Sequence, residues 1–146
     1  MPQKPLLGPF YIIAATFIGI ADTLYLSYNH FLNLIPSCAI GGCEVVLNHP
    51  SATLYSLNIP LAYLGLLYYA YLLCLAILLA WEPRSKALRF AMLGYTGIGL
   101  ICSIAFELYQ FFVIGALCLY CGISATTTLV LFILSVWHYR TSKKVS

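Results

Sequence analysis

The chain has 146 residues, of which 62% are hydrophobic and 8% are charged, and its mean hydropathy is +0.94. So few charges cannot solvate a globular surface, and the composition therefore indicates an integral membrane protein rather than a water-soluble one. The net charge of +3 is the balance of seven basic and four acidic residues, and the basic residues are dispersed along the chain. We therefore expect the lipid bilayer, and no nucleic acid, as a partner.

Four apolar stretches are long enough to cross a bilayer, which needs roughly 20 helical residues. They are residues 10–28, 60–81, 88–114 and 117–139. The first stretch is interpreted as a retained helix, because Asp22 and residues 25–30 do not resemble the small-residue cleavage site of a signal peptide. We therefore predict an all-α integral membrane fold in which residues 1–146 form one domain, a bundle of four transmembrane helices.

The basic residues all flank the same side of these spans. They are Lys4, Arg84, Lys86, Arg89, Arg140, Lys143 and Lys144. The positive-inside rule places this side in the cytoplasm, with both termini of a multi-pass protein of the inner (plasma) membrane. Residues 29–59 and the short turn near Gly115 then face the periplasm or another extracytosolic space.

Residues 29–59, which we call the cap, are unusually apolar for a connection. Glu44 is the only Asp, Glu, Lys or Arg in this segment. A long apolar loop is not stable in water, so we expect the cap to fold over the outer ends of the helices.

The cap carries two cysteines in the segment Cys38-Ala-Ile-Gly-Gly-Cys43, and we call them the cap pair. Two glycines between the thiols free the backbone to change shape. This property suits a pair that alternates between a mutual disulfide and bonds to outside thiols. The alternative is a purely structural disulfide.

A second pair, Cys118-Leu-Tyr-Cys121, falls in the first turn of the fourth span, and we call it the inner pair. The unpaired N–H groups and positive end of a helix favour a thiolate there. Three helical residues span about 4.5 Å, which places Cys121 deeper and Cys118 nearer the cap. A disulfide closing so short a loop adds little stability, so a redox role is favoured, although Cys-x-x-Cys also occurs in metal sites.

In these features the chain resembles the vitamin K epoxide reductase family, particularly its bacterial members that generate disulfides. The resemblance runs through residues 22–30 (Asp-Thr-Leu-Tyr-Leu-Ser-Tyr-Asn-His), the cap pair, residues 45–47 (Val-Val-Leu), residues 59–62 (Ile-Pro-Leu-Ala) with Gly65, and the inner pair. It implies a four-helix bundle around a quinone of the ubiquinone, menaquinone or vitamin K type, with the cap above it.

The resemblance also implies a catalytic role for each paired cysteine. Cys38 exchanges with a thioredoxin-fold protein on the outer face, Cys43 passes the electrons to Cys118, and Cys121 reacts with the quinone. The depth argument independently favours Cys118 facing the cap and Cys121 facing the oxidant, but it does not order Cys38 and Cys43. The predicted activity is therefore that of a quinone-dependent thiol oxidoreductase that oxidises its partner.

Reduction of vitamin K quinone or its epoxide by the same cysteines is the alternative. Vertebrate members that reduce the epoxide have an asparagine in the second span and a tyrosine four residues beyond their Cys-x-x-Cys, where this chain has Leu61 and Ala125. The resemblance therefore favours quinone reduction. For the quinone pocket we predict Ala125 and Gly122 in the fourth span, facing Leu61, Ala62 and Gly65 in the second.

Two carboxylates lie within predicted spans, and such residues are functional candidates because a charge in the bilayer is costly. Asp22 and Glu107 could each relay the protons that quinone reduction consumes, or hydrogen-bond to the cap. Gln110 follows Glu107 by three residues, so we expect these two side chains to be neighbours able to hydrogen-bond.

The remaining histidines and cysteines receive structural interpretations. His30 and His49 have spacings that match no tight zinc pattern, so we predict hydrogen bonding and no metal site. Cys74 and Cys102 each stand alone in a span and are assigned to packing. Two other classes remain open: a membrane protein that binds metal through its cysteines, and a structural protein with static disulfides.

Overall fold

Four long helices account for most of the residues that the computed structural model describes, which are 7–34, 36, 38, 42–54 and 59–145. The helices are α1 (Leu7–Phe31), α3 (Leu61–Trp81), α4 (Lys86–Tyr109) and α5 (Leu119–Val145), with α2 lying in the cap. Each is long and apolar enough to cross a membrane. The predicted all-α membrane bundle is therefore confirmed.

The cap contains more regular structure than a loop. It holds the short helix α2 (Cys43–Asn48), a 3₁₀ turn (Pro50–Ala52) and two short antiparallel strands, β1 (Thr53–Leu54) and β2 (Ile59–Pro60). Glu44 lies in the first turn of α2, where a negative charge complements the helix dipole. The two strands bring the end of the cap directly to the start of α3.

Several helix ends differ from the predicted spans, and two of these differences bear on the site. α1 continues to Phe31, inside the predicted cap. α5 begins at Leu119, so Cys118 immediately precedes the helix instead of lying within its first turn. Cys118 still belongs to the helix start, because its carbonyl oxygen accepts the N–H of Gly122 at 3.0 Å.

The end of α4 is a π-helical turn, Gln110–Ile114. Gly115 closes it with φ of 71°, a left-handed conformation that suits glycine, and its N–H donates to the Gln110 carbonyl oxygen at 2.9 Å. The chain therefore reverses sharply before the inner pair.

The bundle is assembled around α1 and α5, which pack against each other. α3 packs mainly on α1 and α4 mainly on α5, while α3 and α4 contact each other less closely. Their main core contains Ile12, Tyr69, Leu72, Leu75, Ala76, Leu79, Met92 and Leu131. A second buried cluster, of Cys43, Val46 and Cys118, joins the cap to the helices.

The two ends of the bundle have different chemistry. Gly8 at the start of α1 packs against His138 near the end of α5, and Arg89 in the first turn of α4 lies close to that histidine. This end, which also holds Arg84 and Lys86, we call the basic end. The cap lies at the opposite end, together with the inner pair.

Candidate active site

The cap pair forms a disulfide at the start of α2. The Cα atoms of Cys38 and Cys43 are 6.0 Å apart. Cys43, the first residue of α2, is completely buried, whereas Cys38 is only partly buried. An external thiol therefore has better access to Cys38, a distinction that the sequence could not make.

Cys118 lies directly against this disulfide. Its Sγ is 3.4 Å from the Sγ of Cys43, and its side chain is 3% exposed. Thiol–disulfide exchange begins when a thiolate attacks a disulfide sulfur. The contact therefore joins the two sulfurs that must bond if electrons are to pass between the cap pair and the inner pair.

The close approach of the cap to Cys118 depends on Gly42. Its Cα lies against the carbonyl oxygen of Leu117, and a Cβ at this position would clash with that oxygen. The backbone of Gly42 is extended, with φ of −177°, so the glycine is required for space rather than for its dihedral angle. The sequence pattern predicts a role for these glycines in backbone freedom, whereas Gly42 is needed for space; Gly41 lies outside the described residues.

The Cys118 thiol is readily ionised. A hydrogen bond from the Cys121 thiol lowers the pKa of Cys118 to about 7, with smaller contributions from the backbone N–H groups of Cys121 and Tyr120, while burial opposes the change. The helix start thus contributes as expected, but the neighbouring thiol contributes more. The lowered pKa favours the thiolate form of Cys118 relative to an ordinary cysteine.

Cys121 lines a partly open cavity of about 710 Å³ between the helices and the cap. The walls are mostly apolar and come from α1, the cap, α3, α4 and α5. This volume falls in the range of about 300–1,000 Å³ that is typical of small-molecule sites. One sulfur of the inner pair therefore faces the cap disulfide, and the other faces a cavity within the membrane domain.

Four of the five predicted pocket residues line this cavity. They are Leu61, Ala62, Gly65 and Ala125. Gly122 does not line it, because it directly follows Cys121 and points about 100° away around the helix. Ala125 is four residues beyond Cys121 and shares its face.

The two predicted carboxylates have different surroundings. Glu107 lines the cavity with Cys121, whereas Asp22 does not and instead lies close enough to Cys118 to raise its pKa. Each has a buried oxygen without a hydrogen-bond partner among the described residues.

Among the described residues no hydrogen bond joins Glu107 and Gln110, although their spacing would allow one. Gln110 is fully buried, and its Oε1 accepts the backbone N–H of Cys118 at 3.1 Å. The hydrogen-bond partner of Gln110 therefore comes from the segment that follows Gly115, and not from the neighbouring turn of α4.

The arrangement of two cysteine pairs beside a membrane cavity agrees with a comparison of the chain with known families. The model of the vitamin K epoxide reductase family matches residues 10–136. The chain belongs to the vitamin K epoxide reductase family. A comparison with individually curated proteins found no match.

Membership of the vitamin K epoxide reductase family confirms the resemblance and has direct consequences. The protein is a membrane oxidoreductase of the thiol–disulfide and quinone-reducing type. Enzymes of this family use quinones and in general work with thioredoxin-like partners.

Tyr69 lies at the candidate site but is not among the residues predicted from the sequence. It is buried and lines the cavity, and its hydroxyl donates to the carbonyl oxygen of Ser124 at 2.9 Å. The same hydroxyl is 3.0 Å from the hydroxyls of Ser124 and Thr128. Tyr69 thereby ties α3 to α5. Tyr68-Tyr69 within a span was the available signal, because a buried phenol needs a polar partner.

The histidines of the cap end have structural contacts. His49 Nδ1 is 2.7 Å from Ser51 Oγ, and its ring packs edge-on against Tyr109. The His30 ring packs similarly against Tyr63. Among the described residues, no group of three or more His, Cys, Asp or Glu could hold a metal ion.

The isolated cysteines differ from their assignment to packing. Cys102 lines the cavity, and both Cys74 and Cys102 are exposed at the protein surface. These thiols therefore fill no tightly packed position within the bundle.

Proposed function

We propose that this protein oxidises a thioredoxin-fold dithiol protein and transfers two electrons through the cap pair and the inner pair to a quinone. The 3.4 Å contact between Cys43 Sγ and Cys118 Sγ carries the proposal. It supports a continuous path, since Cys38 is the more accessible sulfur of the cap disulfide and Cys121 faces the cavity.

The first exchange oxidises the partner. A partner thiolate attacks Cys38 Sγ, so that a mixed disulfide forms, the Cys38–Cys43 bond breaks and the electron pair leaves on Cys43. The second thiol of the partner then attacks the partner sulfur that is bonded to Cys38, and Cys38 is released. The partner departs with a disulfide, and the cap pair holds its two electrons.

The second exchange passes those electrons inward. Cys43 thiolate attacks Cys118 in an oxidised inner pair; the Cys43–Cys118 bond forms, and Cys121 leaves with the electron pair. Cys38 thiolate then attacks Cys43 and releases Cys118. This sequence ends with a cap disulfide and two free inner thiols, which is the combination present in the structure.

The residues lining the cavity fit a quinone ring. The walls are largely apolar, and Cys121, Tyr69 and Glu107 provide a thiol, a phenol and a carboxyl group. A bound quinone accepts two electrons and two protons and leaves as quinol, while the inner pair becomes a disulfide. Glu107 holds one of these protons at its carboxyl oxygen, and the overall reaction converts dithiol plus quinone into disulfide plus quinol.

Reduction of a quinone is favoured over reduction of vitamin K epoxide. Leu61 and Ala125 both line the cavity and are apolar. The side chains at these positions therefore cannot hydrogen-bond to an epoxide oxygen. We expect quinol formation from quinones and little or no turnover of the epoxide.

The path also requires a particular orientation in the membrane. The basic residues Arg84 and Lys86 lie at the end opposite the cap, which supports a cytoplasmic basic end and an extracytosolic cap. The cap pair then meets its partner in an oxidising compartment, where quinone-coupled thiol oxidation maintains disulfides.

A coupled assay tests the proposal. Purified protein is given a reduced thioredoxin-fold protein and a quinone, and thiol loss and quinol formation are followed together. We expect two thiols consumed for each quinol, and Cys121→Ala should abolish quinol formation. Normal turnover of this variant, or stoichiometric zinc binding by the four cysteines, would refute the mechanism.

The first step has its own test. A partner variant that retains only its attacking cysteine should accumulate a mixed disulfide, which peptide mapping should locate at Cys38. A mixed disulfide predominantly at Cys43 would reverse the proposed order of the cap pair.

A further inference from the structure

Gln110 makes an unusual contact at the end of α4. Its side chain is fully buried, and its Oε1 accepts the backbone N–H of Cys118 at 3.1 Å. An amide oxygen can accept this bond whereas an amide nitrogen cannot, so the contact fixes which way the amide is turned. The π-helical turn and Gly115 reverse the chain and bring Cys118 back to Gln110.

The nitrogen of the same side-chain amide is an unpaired hydrogen-bond donor. Gln110 Nε2 is buried and has no hydrogen-bond partner among the described residues. Leaving a buried donor unpaired costs about 1–3 kcal/mol. An unpaired Nε2–H beside a redox site has an explanation if a neighbouring group becomes negatively charged in another state of the catalytic cycle and then accepts this hydrogen bond.

Cys121 is the acceptor that changes in this way. Cys121 is a neighbour of this amide, because Gln110 Oε1 is bonded to the Cys118 N–H and Cys121 packs against the buried cluster that contains Cys118. Cys121 has Cys118 and Glu107 as its ionisable neighbours, and neither supplies a positive charge. A thiolate formed there therefore needs a neutral N–H donor.

We propose that Gln110 is a catalytic residue whose Nε2–H donates to Cys121 Sγ while that sulfur carries thiolate charge, and whose Oε1 holds Cys118 in place. This inference rests on the electron path of the proposed function. When Cys43 attacks Cys118, the Cys118–Cys121 bond breaks and its electron pair goes to Cys121. The Gln110 donor stabilises that charge, so Cys121 becomes a better leaving group.

The test isolates the Cys121 thiol from the rest of the path. In full-length protein carrying Cys118→Ala, Cys74→Ala and Cys102→Ala, with the cap disulfide intact, Cys121 is the remaining free thiol. Its ionisation is followed as the pH dependence of its alkylation by a small apolar maleimide. Neither a quinone nor a partner is needed, so the result does not depend on whether the enzyme turns over.

Two variants separate the donor from the acceptor function of Gln110. Gln110→Met removes both, whereas Gln110→Glu has nearly the same shape and keeps an oxygen for the Cys118 N–H. We expect both variants to raise the midpoint of Cys121 ionisation by about one pH unit or more, which is a tenfold change in its acid dissociation constant. Thr96→Val, which changes another fully buried polar residue of α4, is the control and should leave the midpoint unchanged.

The other outcomes overturn the inference. An unchanged midpoint in both variants would show that Gln110 does not donate to Cys121. A rise in Gln110→Met alone would show that Gln110 acts only by holding Cys118. Should Gln110→Met fail to fold, Gln110→Leu decides in its place, since it also removes the donor and adds no charge. Failure of the quinone assay with a raised midpoint in both variants would refute the proposed function but not the contact.

Discussion

Cys118 combines an acidic thiol with contact to a disulfide, and each property has an identifiable cause. Cys121 donates a hydrogen bond that lowers the Cys118 pKa to about 7, and the side-chain oxygen of Gln110 accepts the backbone N–H of Cys118. The cap places Cys43 Sγ at 3.4 Å. Reactivity here is therefore a property of three neighbours, rather than of the Cys-x-x-Cys spacing alone.

The pH dependence of Cys118 follows from its lowered pKa. Because the pKa is about 7, the thiolate should be present above pH 7 and be lost as the pH falls through that value. Cys121→Ala removes the main donor, so the midpoint should rise towards the ordinary thiol value of about 8.5, whereas Cys121→Ser keeps an O–H donor and should stay low. Ultraviolet absorbance of the thiolate, in protein carrying Cys74→Ala and Cys102→Ala, measures these midpoints. A midpoint near 8.5 in the protein with Cys121 intact would contradict the prediction.

The two membrane carboxylates should have separable roles. Glu107 lines the cavity, so Glu107→Gln should slow quinol formation by about a hundredfold if it supplies a proton, while exchange between the cysteine pairs continues. Asp22 instead acts on Cys118, and Asp22→Asn should move Cys118 ionisation to lower pH by removing a negative charge. Single-turnover quinol formation from pre-reduced protein, measured across pH, distinguishes them. Equal quinol rates in Glu107→Gln and the unaltered protein would exclude the proton role.

At the scale of elements, the short helix α2 is what delivers Cys43 to the inner pair. Gly42 permits its first residue to approach the Leu117 carbonyl oxygen. Gly42→Ala would force α2 outward, and overpacking of this kind typically costs about 1–3 kcal/mol. We expect formation of the Cys43–Cys118 bond to slow by about tenfold or more, measured in protein carrying Cys38→Ser so that the mixed disulfide persists.

Gly94→Ala is the matched control for this change. Gly94 is exposed on α4 and has nothing within 4 Å of an added Cβ, so exchange should proceed at the original rate. Quinol formation from a pre-reduced inner pair should be normal in both variants. If Gly42→Ala exchanged electrons between the pairs as fast as Gly94→Ala, α2 would not need its close approach.

The elements that sequence could predict are those determined within one segment. The apolar run beginning at Pro60 gives α3 directly, and helix geometry orders Cys118 and Cys121 by depth. Periodicity considers only one helix and therefore offers Glu107 as a possible neighbour of Gln110, whereas the observed partner of Gln110 arrives with the chain that returns after Gly115. Tyr69 likewise depends on α3 packing against α5, which no single segment encodes.

On the scale of the whole molecule, the separation of the cap from the basic end predicts labelling from opposite sides of the membrane. In protein without its native cysteines, Val45→Cys, at an exposed position of α2, should react with a membrane-impermeant maleimide in intact cells. Glu82→Cys, exposed at the α3–α4 connection, should react only after permeabilisation. The reverse pattern would overturn the proposed orientation.

Burial of the central sulfurs also limits which thiols can interfere with the enzyme. Cys43 is 0% exposed and Cys118 is 3% exposed, while Cys38 remains partly accessible. Small reductants dissolved in water therefore have no direct access to Cys43 or Cys118, and Cys38 is the accessible sulfur of the cap disulfide. In the proposed mechanism the cap therefore separates thiols in solution from the oxidant in the membrane. It leaves one sulfur, Cys38, accessible to a protein partner whose surface fits the cap.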